Sequence, residues 1–358
     1  MTYNPSYFLG TNTPNGFYSL FSELYNPFDG WCTYIIKGGP GTGKSSLMKK
    51  CVLAADEKNL SYEKIFCSSD PNSLDGVIFK GEKISVADGT APHILEPKFP
   101  GAVENIINLG ECWNRDKLFK NSKAIIETAT LNSEYHKKCT RNLLAIKCLM
   151  EDNLCLFEKF INTMKLEAFL KETIEREIPI KSISKGIIYK RFLNGITPRG
   201  PFVFWDTIRL LADNIFVIED DTTFVSSKII DMVKNFALEN GYDIILSPNT
   251  IFPDNKFDHI IIPELSLAFV SSTTQFKFKG KCTNKIKLNQ FTKKSVYKSI
   301  QPELSFSLAI IDVLYARCSE SLLIAKDLHD KLESYYIQNM DFDKVNQMTK
   351  NAIEMIIK

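Results

Sequence analysis

The sequence predicts an α/β protein made of two tandem units, residues 1–183 and 184–358. Each is read as a parallel sheet flanked by helices and followed by a helical segment. Three observations predict this. Short β-rich runs alternate with a helical pattern, as a parallel sheet requires. The chain repeats itself, with four matches in the same order and at nearly the same spacing. After about residue 101 the first half turns helical as far as about 178, and the second half does the same from Pro302 onward.

Composition sets the outer limits. A chain of 358 residues with 44% apolar and 24% charged residues is that of an ordinary globular protein large enough for two cores. A net charge of +2 gives no electrostatic reason to expect a nucleic-acid partner. The nine cysteines contain no C-x-x-C pair and the four histidines are far apart in sequence, which argues against a zinc site or a disulfide framework. The start Met1-Thr2-Tyr3-Asn4-Pro5 has no leader pattern, and no apolar run is long enough to cross a bilayer. A cytoplasmic protein with no membrane partner is expected.

In the first half, β-rich runs are expected at 33–36, 63–67, 76–79 and 84–87. The first of them, Tyr34-Ile35-Ile36, leads into Lys37 and then Gly38-Gly39-Pro40-Gly41-Thr42-Gly43-Lys44-Ser45, followed by the helical pattern Ser46-Leu47-Met48-Lys49-Lys50-Cys51-Val52. This is G-x-x-x-x-G-K-S between a strand and a helix, the P-loop in its required context. The glycines let successive N–H groups turn inward around a phosphate, and the helix adds its positive N-terminal end. Residues 38–46 are therefore expected to bind a nucleoside triphosphate. Lys44 would reach the β- and γ-phosphates, and the Ser45 hydroxyl would ligate Mg²⁺. Asp88, at the end of the run 84–87, is the expected second carboxylate for the metal and, with Lys44, the expected catalytic pair.

The repeat sets Phe8-Leu9-Gly10-Thr11-Asn12-Thr13-Pro14-Asn15-Gly16 against Phe192-Leu193-Asn194-Gly195-Ile196-Thr197-Pro198-Arg199-Gly200. It also pairs Tyr34-Ile35-Ile36 with Phe216-Val217-Ile218, the run from Leu74 to Phe79 with that from Phe257 to Ile262, and Asp88 with Ser271. An ungapped comparison of the loops sets 38–45 against Asp220-Asp221-Thr222-Thr223-Phe224-Val225-Ser226-Ser227, so that Lys44 meets Ser226. The second loop has lost every glycine and gained two carboxylates, which would repel a phosphate. It reads as a degenerate P-loop, leaving one working site per chain.

Asp75 persists as Asp258 in the half without the loop, which favours a turn or capping role. Asp70, in Cys67-Ser68-Ser69-Asp70, reads as a turn residue with a substrate-positioning alternative. His93 is open between an acid–base or γ-phosphate role and an ordinary loop histidine. Asn255-Lys256-Phe257-Asp258 spells N-K-x-D, but it precedes its strand and lies in the half without the P-loop. ATP rather than GTP is expected. No Glu follows Asp88, which counts against a fast motor ATPase.

The combination of 37–46, Phe66-Cys67-Ser68-Ser69-Asp70, Ser73-Leu74-Asp75-Gly76-Val77 and Asp88-Gly89-Thr90-Ala91-Pro92-His93 resembles a family of bacterial tandem-repeat P-loop ATPases or ATP-binding proteins. Pro100-Gly101-Ala102-Val103 and Ile106-Ile107-Asn108-Leu109-Gly110 fit it too. The resemblance is close over residues 7–113. It implies a P-loop NTPase fold with ATP as ligand and no assigned physiological substrate. The expected function is Mg²⁺-dependent ATP hydrolysis at a single site in the first half. Two alternatives stay open: a kinase acting on a small molecule, with Arg115 or Arg141 reaching the γ-phosphate from a helical lid, and a nucleotide-gated interaction protein. An arginine from the second half, Arg191 or Arg199, is a further candidate to complete the site.

Overall fold

The computed structural model describes residues 4–181 and 184–357. The expected boundary at 183 lies outside the described residues. The first half runs β1 (Ser6–Tyr7), β2 (Gly10–Thr13), β3 (Gly16–Ser19), β4 (Cys32–Lys37), α1 (Lys44–Glu57), β5 (Glu63–Phe66), β6 (Leu74–Phe79), β7 (Ile84–Asp88), β8 (Glu104–Asn108), α2 (Arg115–Lys120), α3 (Ser122–Glu158) and α4 (Thr163–Glu177). The second runs β9 (Ile188–Lys190), β10 (Asn194–Thr197), β11 (Gly200–Val203), α5 (Trp205–Leu211), β12 (Asn214–Glu219), α6 (Phe224–Glu239), β13 (Ile244–Pro248), β14 (Phe257–Ile262), β15 (Leu267–Ser272), β16 (Asn284–Lys287), α7 (Lys294–Ile337) and α8 (Phe342–Ile356).

Each half builds a six-stranded sheet, in the orders β1-β5-β6-β7-β4-β8 and β9-β13-β14-β15-β12-β16. The two orders are the same when the halves are matched in sequence. The sheets are mixed rather than parallel, because β6 and β14 run against both of their neighbours. The cause is connection length. Residues 67–73 and 80–83 are too few for a crossover, which needs a dozen or more, so β6 must return as a hairpin. A second difference lies in β8, which falls inside the stretch expected to be helical and pairs in parallel with β4.

The repeated Thr-Pro-x-Gly elements are the turns of two hairpins, β2–β3 and β10–β11. In each, a threonine hydroxyl donates to the glycine carbonyl, Thr13 to Gly16 at 2.8 Å and Thr197 to Gly200 at 2.9 Å. Next to them the halves meet. Phe8 and Phe192 exchange both backbone hydrogen bonds (2.9 and 3.0 Å), and buried Arg191 donates to Glu63 at 2.9 Å. Around this hub is a core drawing on both sheets, with Ile65, Ile78 and Ala87 from one and Val217, Ile261 and Val270 from the other. Alternate residues of β12, Phe216 and Ile218, belong instead to the core with α6, the period-2 pattern of a strand buried on both faces.

The helical segments exchange partners. Helices α3 and α7 run antiparallel, burying Cys139, Leu143, Ile146 and Met150 against Ile311, Tyr315, Cys318 and Leu322. The 4-3-4 spacing on both helices is that of a coiled-coil seam. At the far end of α3 the chain bonds to the second half, Asn162 N–H to the Phe291 carbonyl at 2.8 Å, and α4 packs Leu166, Leu170 and Ile174 into the core of α6. At the far end of α7 the Asp341 N–H donates to the Cys112 carbonyl at 2.8 Å. Helix α8 then packs Ala352 and Ile356 against Leu47, Met48 and Cys51 of α1. Each half thus completes its outer helical layer with the other half's last helix.

Candidate functional site

The glycine-rich loop joins β4 to α1 at the carboxyl end of the sheet, where open α/β folds bind ligands. Gly43 is the N-cap of α1 with φ 95°, and Gly41 has φ 68°, both left-handed values that a side chain resists. Thr42 is buried and its hydroxyl closes the loop onto the Gly39 carbonyl at 2.8 Å. Lys44 opens the helix and folds back over the loop, donating to the Gly38 and Gly39 carbonyls at 3.0 and 2.8 Å. Pro40 is partly exposed and Ser46 is exposed.

The register Ile36↔Asp88 between β4 and β7 sets Asp88 beside the loop, and its Oδ2 lies 3.6 Å from Lys44 Nζ. Thr90 fixes the other carboxylate oxygen through its N–H (2.8 Å) and hydroxyl (2.6 Å). The Ser45 hydroxyl accepts from Leu74 N–H at 3.0 Å. Ser45 Oγ and Asp88 Oδ2 are oxygen donors of the kind a hard cation such as Mg²⁺ takes.

Sequence reasoning missed the residues that cover the loop. The C-terminal turns of α7 lie directly over it, and a side chain on Gly39 or Gly41 would meet Tyr336 or Ile337 at 2.7–2.8 Å. The Gly41 N–H donates to Glu333 Oε1 at 3.1 Å. His329 beside it and this N–H hold the Glu333 carboxyl below its usual range. Nothing near residue 333 signals this placement, because it follows from the length of α7 and its pairing with α3.

The second half answers with its own side chain. Helix α6 starts after left-handed Thr223 (φ 61°), whereas α1 starts after Gly43, so the second loop is two residues shorter. The ungapped comparison is corrected accordingly: Lys44 corresponds to Phe224, and Ser226 to Ser46. Buried Asp220 turns inward, accepting from Val225 N–H (2.8 Å), Ser226 N–H (3.0 Å) and Thr222 N–H (2.9 Å). A carboxylate of the loop itself therefore sits on the helix N-terminus, where an anion would otherwise bind.

The remaining candidates separate. Asp70 caps its own turn through Asn72 N–H (3.2 Å) and the Ser73 hydroxyl (2.8 Å), and lies 3.7 Å from Lys326 of α7. Asp75 is buried against His93, Oδ2 to Nε2 3.2 Å. Burial alone would depress the His93 pKa, but Asp75, followed by Asp88, outweighs it and raises the value above the ordinary one. Arg115 and Arg141 are exposed. Arg191 is taken by Glu63, and exposed Arg199 reaches Asn72 at 3.3 Å. Comparison with protein-family models, with curated proteins and with solved structures finds no match for this chain.

Proposed function

We propose that the chain is a P-loop NTPase that binds Mg·ATP at residues 38–46 and hydrolyses it, with the second half serving as a nucleotide-free pseudo-unit. The observation that carries this reading is the meeting of Lys44 and Asp88 at 3.6 Å, on a loop that ends in left-handed Gly43, the N-cap of α1. Loop N–H groups and Lys44 would take the β- and γ-phosphates once Lys44 releases the Gly38 and Gly39 carbonyls. Ser45 and Asp88 would hold Mg²⁺, which when bound neutralises charge on the phosphate oxygens. Thr90 keeps the Asp88 carboxylate oriented for that role.

A second reading, a nucleotide-gated interaction protein, is favoured by Glu333. Its carboxylate already accepts the Gly41 N–H, so a triphosphate would have to displace the end of α7. Nothing comparable favours the kinase reading, since Arg115 and Arg141 are exposed and, among the described residues, form no hydrogen bond or ion pair with the loop.

Thermal unfolding with and without Mg·ATP tests the reading. At a hundredfold excess over Kd, ATP should stabilise the protein by about 2.7 kcal/mol. Lys44→Ala should abolish the shift and Phe224→Ala should leave it intact. An unshifted wild type would overturn the proposal. Phosphate release without an acceptor distinguishes the hydrolase from the gated binder, which would bind tightly and turn over little.

A further inference from the structure

The first half also gathers three donors of different chemistry beside the glycine-rich loop. Cys67 follows β5, Asp75 lies in β6 and His93 lies in the loop after β7. One ligand atom from each falls within 4.8 Å of the others. The His93 ring is set in place by Phe21, stacked at 4.8 Å, and Phe17, edge-on at 5.3 Å. Asp75 and His93 are buried and Cys67 is partly exposed as a residue, with burial pushing its thiol pKa up.

A buried Asp–His pair needs no third partner, and the second half shows what the fold alone requires here. Strand register sets Asn249 and Asp258 at the positions of Cys67 and Asp75, and counting on without a gap past β7 and β15 sets Phe276 against His93. The carboxylate is kept there without sulfur or imidazole. Asp258 is satisfied by two neutral amides, Asn194 Nδ2 at 2.6 Å and Asn249 Nδ2 at 2.8 Å. In the first half Asn194 is matched by Gly10, which has no amide to offer, and Asn249 by a thiol. The thiol and imidazole therefore take the place of those amides around the carboxylate, and unlike amides they are donors a transition metal prefers.

We propose that Cys67, Asp75 and His93 form a binding site for a zinc-like divalent transition metal, with three protein ligands and one open position. Thiolate and imidazole select a borderline-soft ion over Mg²⁺ or Ca²⁺. The 3.2 Å between His93 Nε2 and Asp75 Oδ2 matches the roughly 3.3 Å expected for two ligands on one tetrahedral ion with bonds of about 2.0 Å. The Cys67 sulfur has to draw in, and binding displaces its proton and any proton on Nε2. Three ligands with a fourth position free is the arrangement of a catalytic rather than a structural zinc site. The loop carrying His93 starts directly after Asp88, the last residue of β7, so an ion here would lie beside the proposed nucleotide site, but its binding does not rest on that reading.

The test is titration of chelator-stripped full-length protein with Zn²⁺ against a chromophoric chelator, and with Co²⁺ by absorption. One tight Zn²⁺ per chain is expected, together with a thiolate-to-cobalt charge-transfer band in the near ultraviolet. Cys67→Asn and His93→Phe copy the second half's own residues. Each should weaken Zn²⁺ binding by more than about 100-fold, beyond the usual effect of losing an outer-shell partner, and Cys67→Asn should remove the band. Lys44→Ala should change neither, which separates this site from failure of the nucleotide reading. Wild type that retains no ion, or a band unchanged in Cys67→Asn, overturns the proposal. Should both variants misfold, zinc protection of Cys67 against alkylation in the wild type decides: protection supports the site, and an unaltered rate overturns it.

Discussion

Two neighbouring residues of the second half carry opposite protonation preferences. Asp258 is buried, and desolvation raises its pKa to about 6 despite the two amides that oppose the rise. His259 is buried with neither ring nitrogen bonded, and desolvation lowers its pKa to about 3. The signs differ. A lowered histidine pKa gives stability that is present above pH 6.5 and is lost as pH falls toward 3. A raised aspartate pKa gives stability that is present below about 3.8 and is lost as pH rises through about 6. Between pH 6 and 4 the two slopes oppose each other. His259→Phe removes the first, so the stability of the variant relative to wild type should grow by up to about 1.4 kcal/mol per unit as pH falls below 6.5. Urea unfolding at a series of pH values measures it, and a pH-independent difference would mean that the ring is solvated.

Among the elements, α7 is the one whose consequences reach furthest. Its last turns belong to the second half in sequence but lie on the first half's loop, with Glu333 on Gly41. Glu333→Ala removes a competing charge-assisted hydrogen bond of about 1.5 kcal/mol and should tighten Mg·ATP binding about tenfold. Equilibrium titration with a fluorescent ATP analogue reads this, and weaker binding would show that Glu333 helps the nucleotide instead. The same elements mark what the sequence could tell. The strand–loop–helix of 34–52 was legible because glycine spacing and apolar runs are local signals. The duplication was legible because Thr13, Pro14 and Gly16 serve a turn whose geometry allows little else. Strand β8 was not: Glu104-Asn105-Ile106-Ile107-Asn108 is a short edge strand with Ile106 exposed, and its pattern does not stand out from the helical stretch that follows. The position of α7 over the loop was not legible either, since contacts between residues nearly 300 apart in sequence leave no local trace.

Across the whole molecule, stability is pooled at the hub between the halves. Arg191 is 2% exposed and its charge is balanced by Glu63 from the other half, with the Lys190 carbonyl accepting a further bond at 2.8 Å. Arg191→Met leaves Glu63 buried without its main partner and should cost about 3–5 kcal/mol. Adding Glu63→Gln should recover much of that loss, because the isolated charge rather than the lost attraction dominates the cost. Denaturant midpoints of the two variants measure this, and a single variant within 1 kcal/mol of wild type, roughly the value of an exposed pair, would place the pair in solvent.

The exchange of α4 and α8 has a consequence for how such a molecule can vary. Two unlinked copies of one half would bury the same surfaces in the same way, each donating its last helix to the other, so the architecture is that of a symmetric dimer joined into one chain. In an unlinked dimer every substitution strikes both sites at once. Joining the copies removes that constraint. Asp220 can then fill one loop from within while the other keeps Lys44 and its glycines, with the Glu333 carboxylate reaching it from the end of α7.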